Sequence, residues 1–215
     1  MKLLVGTIIT ILAIAVQAEK SRRIVGGNEA YRNQFPYQVG LILEMLQVDN
    51  PRLCGGSLIS STRVLTAAHC LISVSTALVV LGAHKLVEYE PAQVKFNVPA
   101  SEFILYPEYS FGKKLNDIAM IKLPSAVTFN NAINPIEIAE GTSDFVGDTA
   151  VVSGWGHFDD KSKPSSELRF SSLNIISNKE CFVVFGNYII DSSICAQSEG
   201  KAGLCFGDSG KIQNN

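Results

Sequence analysis

The sequence lacks the patterns that would indicate a nucleic-acid, zinc or repeat protein. It contains no run of basic residues, and its 18 Lys and Arg are outnumbered by 20 Asp and Glu across 215 residues. Because a surface that binds phosphates needs clustered positive charge, we expect no nucleic-acid partner. No Cys or His pair has the C-x₂-C or H-x₃-H spacing of a zinc site, so we predict no metal and no cofactor. There is also no internal repeat and no Asn-x-Ser/Thr glycosylation site.

Only one apolar run is long, and it lies near the start of the chain. Leu3–Val16 follows a single lysine and is followed by Gln17-Ala18. A run of about 14 residues is shorter than the roughly 20 that a membrane-spanning helix needs, which favours a cleaved signal peptide over an anchor. We therefore predict a signal peptide over residues 1–18 and a secreted, extracellular protein without a membrane partner. Disulfides would persist there.

Five cysteines are present, so at least one cannot pair within the chain: Cys54, Cys70, Cys181, Cys195 and Cys205. Their spacing alone does not determine which of them are bonded.

Short apolar stretches separated by Gly, Pro and Asn predict an all-β fold built as a sandwich or barrel. We expect strands over 37–43, 57–60, 63–66, 78–81, 94–98, 118–123, 146–154 and 168–176. Gly55-Gly56 is interpreted as a turn leading into Ser57, and Ala67–Leu71 as a single helical turn. Ser177, followed by Glu180, is typical of the capped start of a short helix. Pro124–Pro135 is the best candidate for a crossing between two halves.

Three motifs carry candidate chemistry. Gly207-Asp208-Ser209-Gly210 places a serine in a tight turn, His69 follows Thr66-Ala67-Ala68, and Asp117 follows Asn116. A serine needs a base to become a nucleophile, and a carboxylate can orient that base. Taken singly, each motif also fits a structural role: a solvated loop serine, a packed histidine or an Asx turn. The order His, Asp, Ser matches one of the known triad orders and favours the catalytic interpretation.

Together with Ile24-Val25-Gly26-Gly27, these motifs resemble those of trypsin/chymotrypsin-type serine proteases, in particular invertebrate chymotrypsin-like members. The resemblance extends from Ile24 to Gly210. It implies two antiparallel six-stranded Greek-key barrels packed together. The family pattern breaks off at Lys211, so we expect the second barrel to be incomplete at its C-terminal end.

The resemblance also assigns roles to site residues. His69 would be the general base, Asp117 would orient it, and Ser209 would be the nucleophile. The backbone amides of Gly207 and Ser209 would form the oxyanion hole. Gly203 would form the floor of the specificity pocket, with Leu204 and Phe206 beside it. A floor without charge favours apolar or aromatic side chains in protein or peptide substrates.

Activation is implied as well. Cleavage after Arg23 by a trypsin-like protease would free the amine of Ile24, which would pair with Asp208. The protein would thus be a zymogen, monomeric, with protease inhibitors as further partners. The implied division is a signal peptide (1–18), an activation peptide (19–23), an N-terminal barrel half (24–130) and a truncated C-terminal barrel half (131–215).

The same resemblance implies the disulfides Cys54–Cys70 and Cys181–Cys195 and leaves Cys205 unpaired. His84 and His157 are expected to be surface or packed residues. Glu88 and Glu90 lie in a segment that binds calcium in some family members, but the surrounding residues favour a solvated charged loop.

The alternative function is a non-catalytic protease homologue, or an inactive product, that acts by binding. All three triad residues are nevertheless present.

Overall fold

The computed structural model describes residues 27–47, 50–113, 115–156 and 165–198, together with the backbone of residues 213–214. Twelve strands and two helices lie in this part of the chain, with single 3₁₀ turns at Ala100–Glu102 and Gly186–Tyr188. The strands are β1 (Asn28–Glu29), β2 (Gln38–Met45), β3 (Arg52–Ser60), β4 (Arg63–Thr66), β5 (Val74–Leu81), β6 (Val94–Pro99), β7 (Phe103–Leu105), β8 (Ala119–Lys122), β9 (Thr149–Gly154), β10 (Arg169–Ile176), β11 (Cys195–Gln197) and β12 (Gln213–Asn214); the helices are α1 (Ala68–Leu71) and α2 (Asn178–Phe185).

The first sheet contains seven antiparallel strands in the order β6-β5-β2-β3-β4-β8-β7. Its inner face follows the two-residue period of a strand. In β2, for example, Val39, Leu41 and Leu43 are all fully buried. They belong to one core cluster that also includes Leu58, Val64 and Ile121. This core supports the segments from which the candidate site is built.

The second sheet has the order β1-β10-β9-β12, with β11 also pairing with β10. Hydrogen bonds connect it to the first sheet and to the segment that follows β5. Ser153 Oγ of β9 donates to Gln38 Oε1 of β2 at 2.6 Å, and Trp155 Nε1 donates to the His84 carbonyl at 2.9 Å. Trp155 is 1% exposed, so its indole N–H needs a partner within the protein. The two sheets are therefore joined by buried polar contacts.

The all-β prediction is confirmed, and each strand that we expected overlaps an observed one. The first sheet has seven strands, whereas the resemblance implies a barrel of six. The additional three-residue strand, β7, owes its extended form to pairing with β8. A segment this short has no sequence period of its own. Residues 123–148, which connect β8 to β9, contain neither helix nor strand and include the predicted crossing.

The prediction of a turn at Gly55-Gly56 is wrong, because both glycines lie within β3. Gly56 pairs with Val39 of β2 and lies against β4. A Cβ added at Gly56 would lie 2.8 Å from the Leu65 carbonyl oxygen and from Val64 Cγ1. The glycine is present for close approach of neighbouring backbone, not for a turn.

Both expected disulfides are present: Cys54–Cys70 ties β3 to α1, and Cys181–Cys195 ties α2 to β11. Each closes a loop of about 15 residues, which corresponds to about 3 kcal/mol of stabilisation in the chain-entropy account.

The capped helix is also confirmed. Ser177 accepts from the Glu180 amide while the Glu180 carboxylate accepts from the Ser177 amide, forming a capping box. Cys205 lies outside the described residues.

The interpretation of Glu90 as part of a solvated loop is wrong. Its side chain is 6% exposed and accepts from the amides of His84 (2.7 Å) and Lys85 (2.8 Å) and from Arg32 Nη1 (2.5 Å). Burial raises the pKa of Glu90, but these hydrogen bonds outweigh burial and the pKa lies below its usual value. The carboxylate therefore organises its own loop. Glu88 is exposed, as expected, and pairs with Lys85.

No helix in the described part of the chain is long and apolar enough to cross a membrane.

We predict that Gly56→Ala destabilises the protein by about 1–3 kcal/mol, because the new methyl group meets a carbonyl oxygen that can move only with its strand. Gly112→Ala is the matched control, since an added Cβ there meets no atom within 4 Å. Urea unfolding of both variants checks this. Equal midpoints for the two variants would contradict the close approach seen at Gly56.

Candidate active site

Strand pairing brings two distant motifs to the same end of the first sheet. β4 and β8 are antiparallel, with Thr66 opposite Ala119. The residues that follow β4 therefore lie beside those that precede β8. His69 lies three residues after Thr66, and Asp117 lies two residues before Ala119. The sheet thus accounts for a meeting between residues 48 positions apart.

His69 is held on α1 from both sides. The neighbouring Cys70 is bonded to Cys54 of β3. Thr66, just before the helix, donates through its hydroxyl to the Gly55 carbonyl at 2.7 Å. Arg52 Nη1 donates to the carbonyl of His69 itself at 3.1 Å. A helix of one turn is marginal alone, so these ties give it a fixed position.

Asp117 accepts two hydrogen bonds from the same residue. Its Oδ2 lies 2.6 Å from His69 Nδ1, and its Oδ1 accepts from the His69 backbone amide at 2.8 Å. The residue that caps α1, Ala67, has no side-chain oxygen, so the first amides of the helix need an outside acceptor. Asp117 supplies that acceptor and orients the imidazole with the same carboxylate.

The charge of Asp117 is favoured by these contacts. Partial burial raises its pKa, but the hydrogen bonds from the His69 side chain and backbone outweigh burial, and the pKa lies below its usual value. The Asp117 side chain is 27% exposed and that of His69 35% exposed, so the pair is reachable from solvent. With Nδ1–H donated to the carboxylate, His69 Nε2 would carry its lone pair outward. Its contact at 3.7 Å is with the disulfide sulfur of Cys70, a weak partner.

Tyr109 lies close enough to Asp117 to interact with its charge, and no sequence motif indicates this residue. Its ring packs against the core of the first sheet, and its hydroxyl is buried without a hydrogen-bond partner among the described residues. Burial raises the pKa of Tyr109, and the negative charge of Asp117 raises it further. Arg52 was also not anticipated. Neither residue belongs to a motif, so only the folded chain reveals them.

The remaining predicted site residues lie outside the described residues. They are Ser209, Gly207, Asp208, Gly203, Leu204, Phe206, Arg23, Ile24 and also His157. Of the predicted catalytic residues, the structure therefore brings together His69 and Asp117.

Within the described ranges, one group of side chains has the spacing of a metal site: Cys54, His69 and Cys70, whose candidate ligand atoms lie within 4.8 Å of one another. Both cysteines are in one disulfide, so neither sulfur is a thiolate. This group does not suit a metal ion.

The two sheets, with His69 and Asp117 meeting at the end of one of them, have the arrangement that the resemblance to serine proteases implies. The trypsin family model matches residues 24–211. The chain belongs to the trypsin family, whose members are serine endopeptidases.

Similar proteins support the same assignment. Brachyurin of Leptuca pugilator is 39% identical over 188 residues, covering 87% of this chain and 79% of that protein. Collagenase of Hypoderma lineatum is 35% identical (87% and 70% covered), and chymotrypsin of Phaedon cochleariae is 32% identical (90% and 70% covered). A solved structure of HL collagenase superposes with a TM-score of 0.78 at 33% identity, covering 87% of this chain and 80% of that one.

We predict that Asp117→Asn lowers stability at neutral pH by about 2 kcal/mol, because two hydrogen bonds to a charged acceptor are weakened. A carboxyl with a lowered folded-state pKa stabilises the protein above its unfolded pKa of about 3.9, and this contribution is lost as the pH falls further. The wild type should therefore lose more stability than the variant between pH 5 and about 2. Thermal unfolding across this range tests it, with exposed Asp191→Asn as the control. Parallel pH curves for wild type and Asp117→Asn would contradict the prediction.

Proposed function

We propose that this chain is the precursor of a secreted serine endopeptidase that hydrolyses peptide bonds through His69, Asp117 and Ser209. The observation that carries the proposal is the 2.6 Å contact between His69 Nδ1 and Asp117 Oδ2. This contact orients an imidazole that can act as the general base, which an activated serine requires. Membership of the trypsin family supports the same chemistry.

The proposed reaction follows from the orientation of His69. Its Nε2 takes the proton of the Ser209 hydroxyl as Oγ bonds to the substrate carbonyl carbon. The amides of Gly207 and Ser209 stabilise the negative oxygen that results. His69 then gives the proton to the leaving nitrogen as the C–N bond breaks, leaving an ester on Ser209. Water, deprotonated by His69, releases the carboxylic acid and restores the serine.

Gly203, with Leu204 and Phe206, supports a preference for apolar or aromatic side chains before the cleaved bond. Glycine leaves the pocket floor open and uncharged, so a Lys or Arg side chain would find no counter-charge there. Similar proteins include one named chymotrypsin and one named collagenase. Other similar proteins are named trypsin, at 36% identity in Drosophila melanogaster. The specificity proposal therefore depends on Gly203.

We propose activation by cleavage after Arg23. The new amine of Ile24 would then pair with Asp208, next to the nucleophile. A carboxylate enclosed without a partner is costly, so the loop that carries Ser209 would gain its active form only after cleavage. The activator would be a trypsin-like protease. Protein protease inhibitors would act on the active monomer.

Secretion is supported by the signal-like segment over residues 1–18 and by the two disulfides, which are typical of oxidising compartments. The proposed halves, 24–130 and 131–215, are supported by the presence of one sheet in each, apart from β1, which pairs with β10 of the second.

Intact-mass analysis after activation and fluorophosphonate treatment tests the function. The secreted protein is treated with a trypsin-like protease and then with the probe. We expect one phosphonyl group on Ser209, formed as Oγ bonds to phosphorus, fluoride leaves and His69 accepts the proton. The label should require cleavage after Arg23. In Asp117→Asn the labelling rate should fall by about 10⁴ because the imidazole tautomer is no longer fixed.

Ser209→Ala and Ser172→Ala form the control pair, since Ser172 is an exposed serine of β10. The first variant should remain unlabelled and the second should label like wild type. An activated wild-type chain that takes no label, or takes it equally in Ser209→Ala, would overturn the proposal and favour the binding-only alternative.

A further inference from the structure

The loop between β7 and β8 contains a backbone conformation that most residues avoid. Asn116, directly before Asp117, has φ of 55°. This is the left-handed region, where a Cβ crowds the following carbonyl and where Asn is tolerated better than most other residues. Among the described residues, three other non-glycine residues have positive φ: Asn33, Ser73 and Phe145.

Both the side chain and the backbone carbonyl of Asn116 form hydrogen bonds within the loop. Its side-chain Nδ2 donates to the Glu108 carbonyl at 3.0 Å, across the loop. Its own carbonyl accepts from the Ile118 amide at 2.8 Å, which closes a tight reversal centred on Asp117. Tyr106 N donates to the Ile118 carbonyl at 3.1 Å and aligns the base of the loop with β8. The backbone of Asp117 is thus held between two fixed residues.

This arrangement determines the direction in which the Asp117 side chain leaves the loop. The carboxylate must reach the His69 amide and Nδ1 simultaneously, at 2.8 and 2.6 Å. A rotation of the backbone at Asn116 would displace the whole Asp117 carboxylate. Because Asp117 has only two side-chain torsions, the side chain could not then restore both hydrogen bonds to His69. Asn116 is half-buried, and within the described part of the chain its hydrogen bonds are with Glu108 and Ile118, so its effect on His69 passes through Asp117.

We propose that Asn116 is a positioning residue for the His69–Asp117 pair: its side-chain hydrogen bond to the Glu108 carbonyl holds the left-handed backbone that aims the carboxylate. The catalytic consequence rests on the proposed function, whereas the geometric consequence does not. Two variants isolate the side-chain donor. Asn116→Gly accepts positive φ and removes the side chain. Asn116→Asp keeps the size and tolerates positive φ, but an ionised carboxylate cannot donate to the Glu108 carbonyl.

Hydrogen exchange of the His69 backbone amide gives a readout that is independent of catalysis, because this amide donates to Asp117 Oδ1. We expect its protection to fall about tenfold in both variants as the carboxylate shifts. The Ile121 amide, in the fully buried centre of β8, reports global unfolding. The ratio of His69 to Ile121 protection should therefore fall.

The kinetic measurement determines kcat and KM separately for each variant. We expect kcat to fall ten- to about a hundredfold with KM nearly unchanged, since misplacement by a fraction of an ångström affects the reacting groups more than substrate binding. Asn33→Gly is the matched control, because Asn33 also has positive φ (62°) but lies in the turn before β2. It should change neither kcat nor the protection ratio.

The two readouts distinguish the possible failures. If wild type is inactive but the protection ratio falls in both Asn116 variants, the proposed function fails and the positioning role stands. If the ratio and kcat both stay at wild-type values in Asn116→Gly and Asn116→Asp, the positioning role is overturned. Equal loss of His69 and Ile121 protection would also overturn it, since that outcome describes only a less stable fold.

Discussion

The carboxylate of Asp117 joins helix α1, which follows β4, to the loop that precedes β8. One oxygen accepts from the His69 amide and the other from the His69 ring. The first bond satisfies a donor at the start of α1, where Ala67 supplies no cap, and the second orients the imidazole. A hydrogen-bonded carboxylate in a half-buried place stays ionised at neutral pH, so the same charge serves the local fold and the proposed chemistry.

The rest of the first sheet brings these two groups within reach of each other. Antiparallel pairing of β4 with β8 places residues 66 and 119 side by side, and the disulfide from Cys54 to Cys70 ties α1 to β3. On the other side, Asn116 controls the approach of Asp117 through its backbone and its bond to Glu108. Each tie is modest in energy. Together they limit the freedom of two side chains that must meet within a few tenths of an ångström.

Much of this fold could be predicted from the sequence, because alternating apolar residues in β2 and the capping pattern at Ser177 are local features. The His69–Asp117 meeting was predicted from motif order and resemblance, not from local physics. The interpretation of Gly56 as part of a turn is wrong, because the sequence does not distinguish a glycine required for close backbone approach from one required for a turn. Glu90 was misinterpreted because its partners, among them Arg32 and the His84 amide, become neighbours only on folding.

Asp117 holds His69 with its proton on Nδ1, which leaves Nε2 as the base. Proton NMR of protein labelled with ¹⁵N-histidine measures this directly. For the neutral imidazole we expect a far-downfield, slowly exchanging proton bonded to His69 Nδ1, absent in Asp117→Asn, and a lone pair on Nε2. A proton found on Nε2 in the wild type, with Nδ1 unprotonated, would contradict the account.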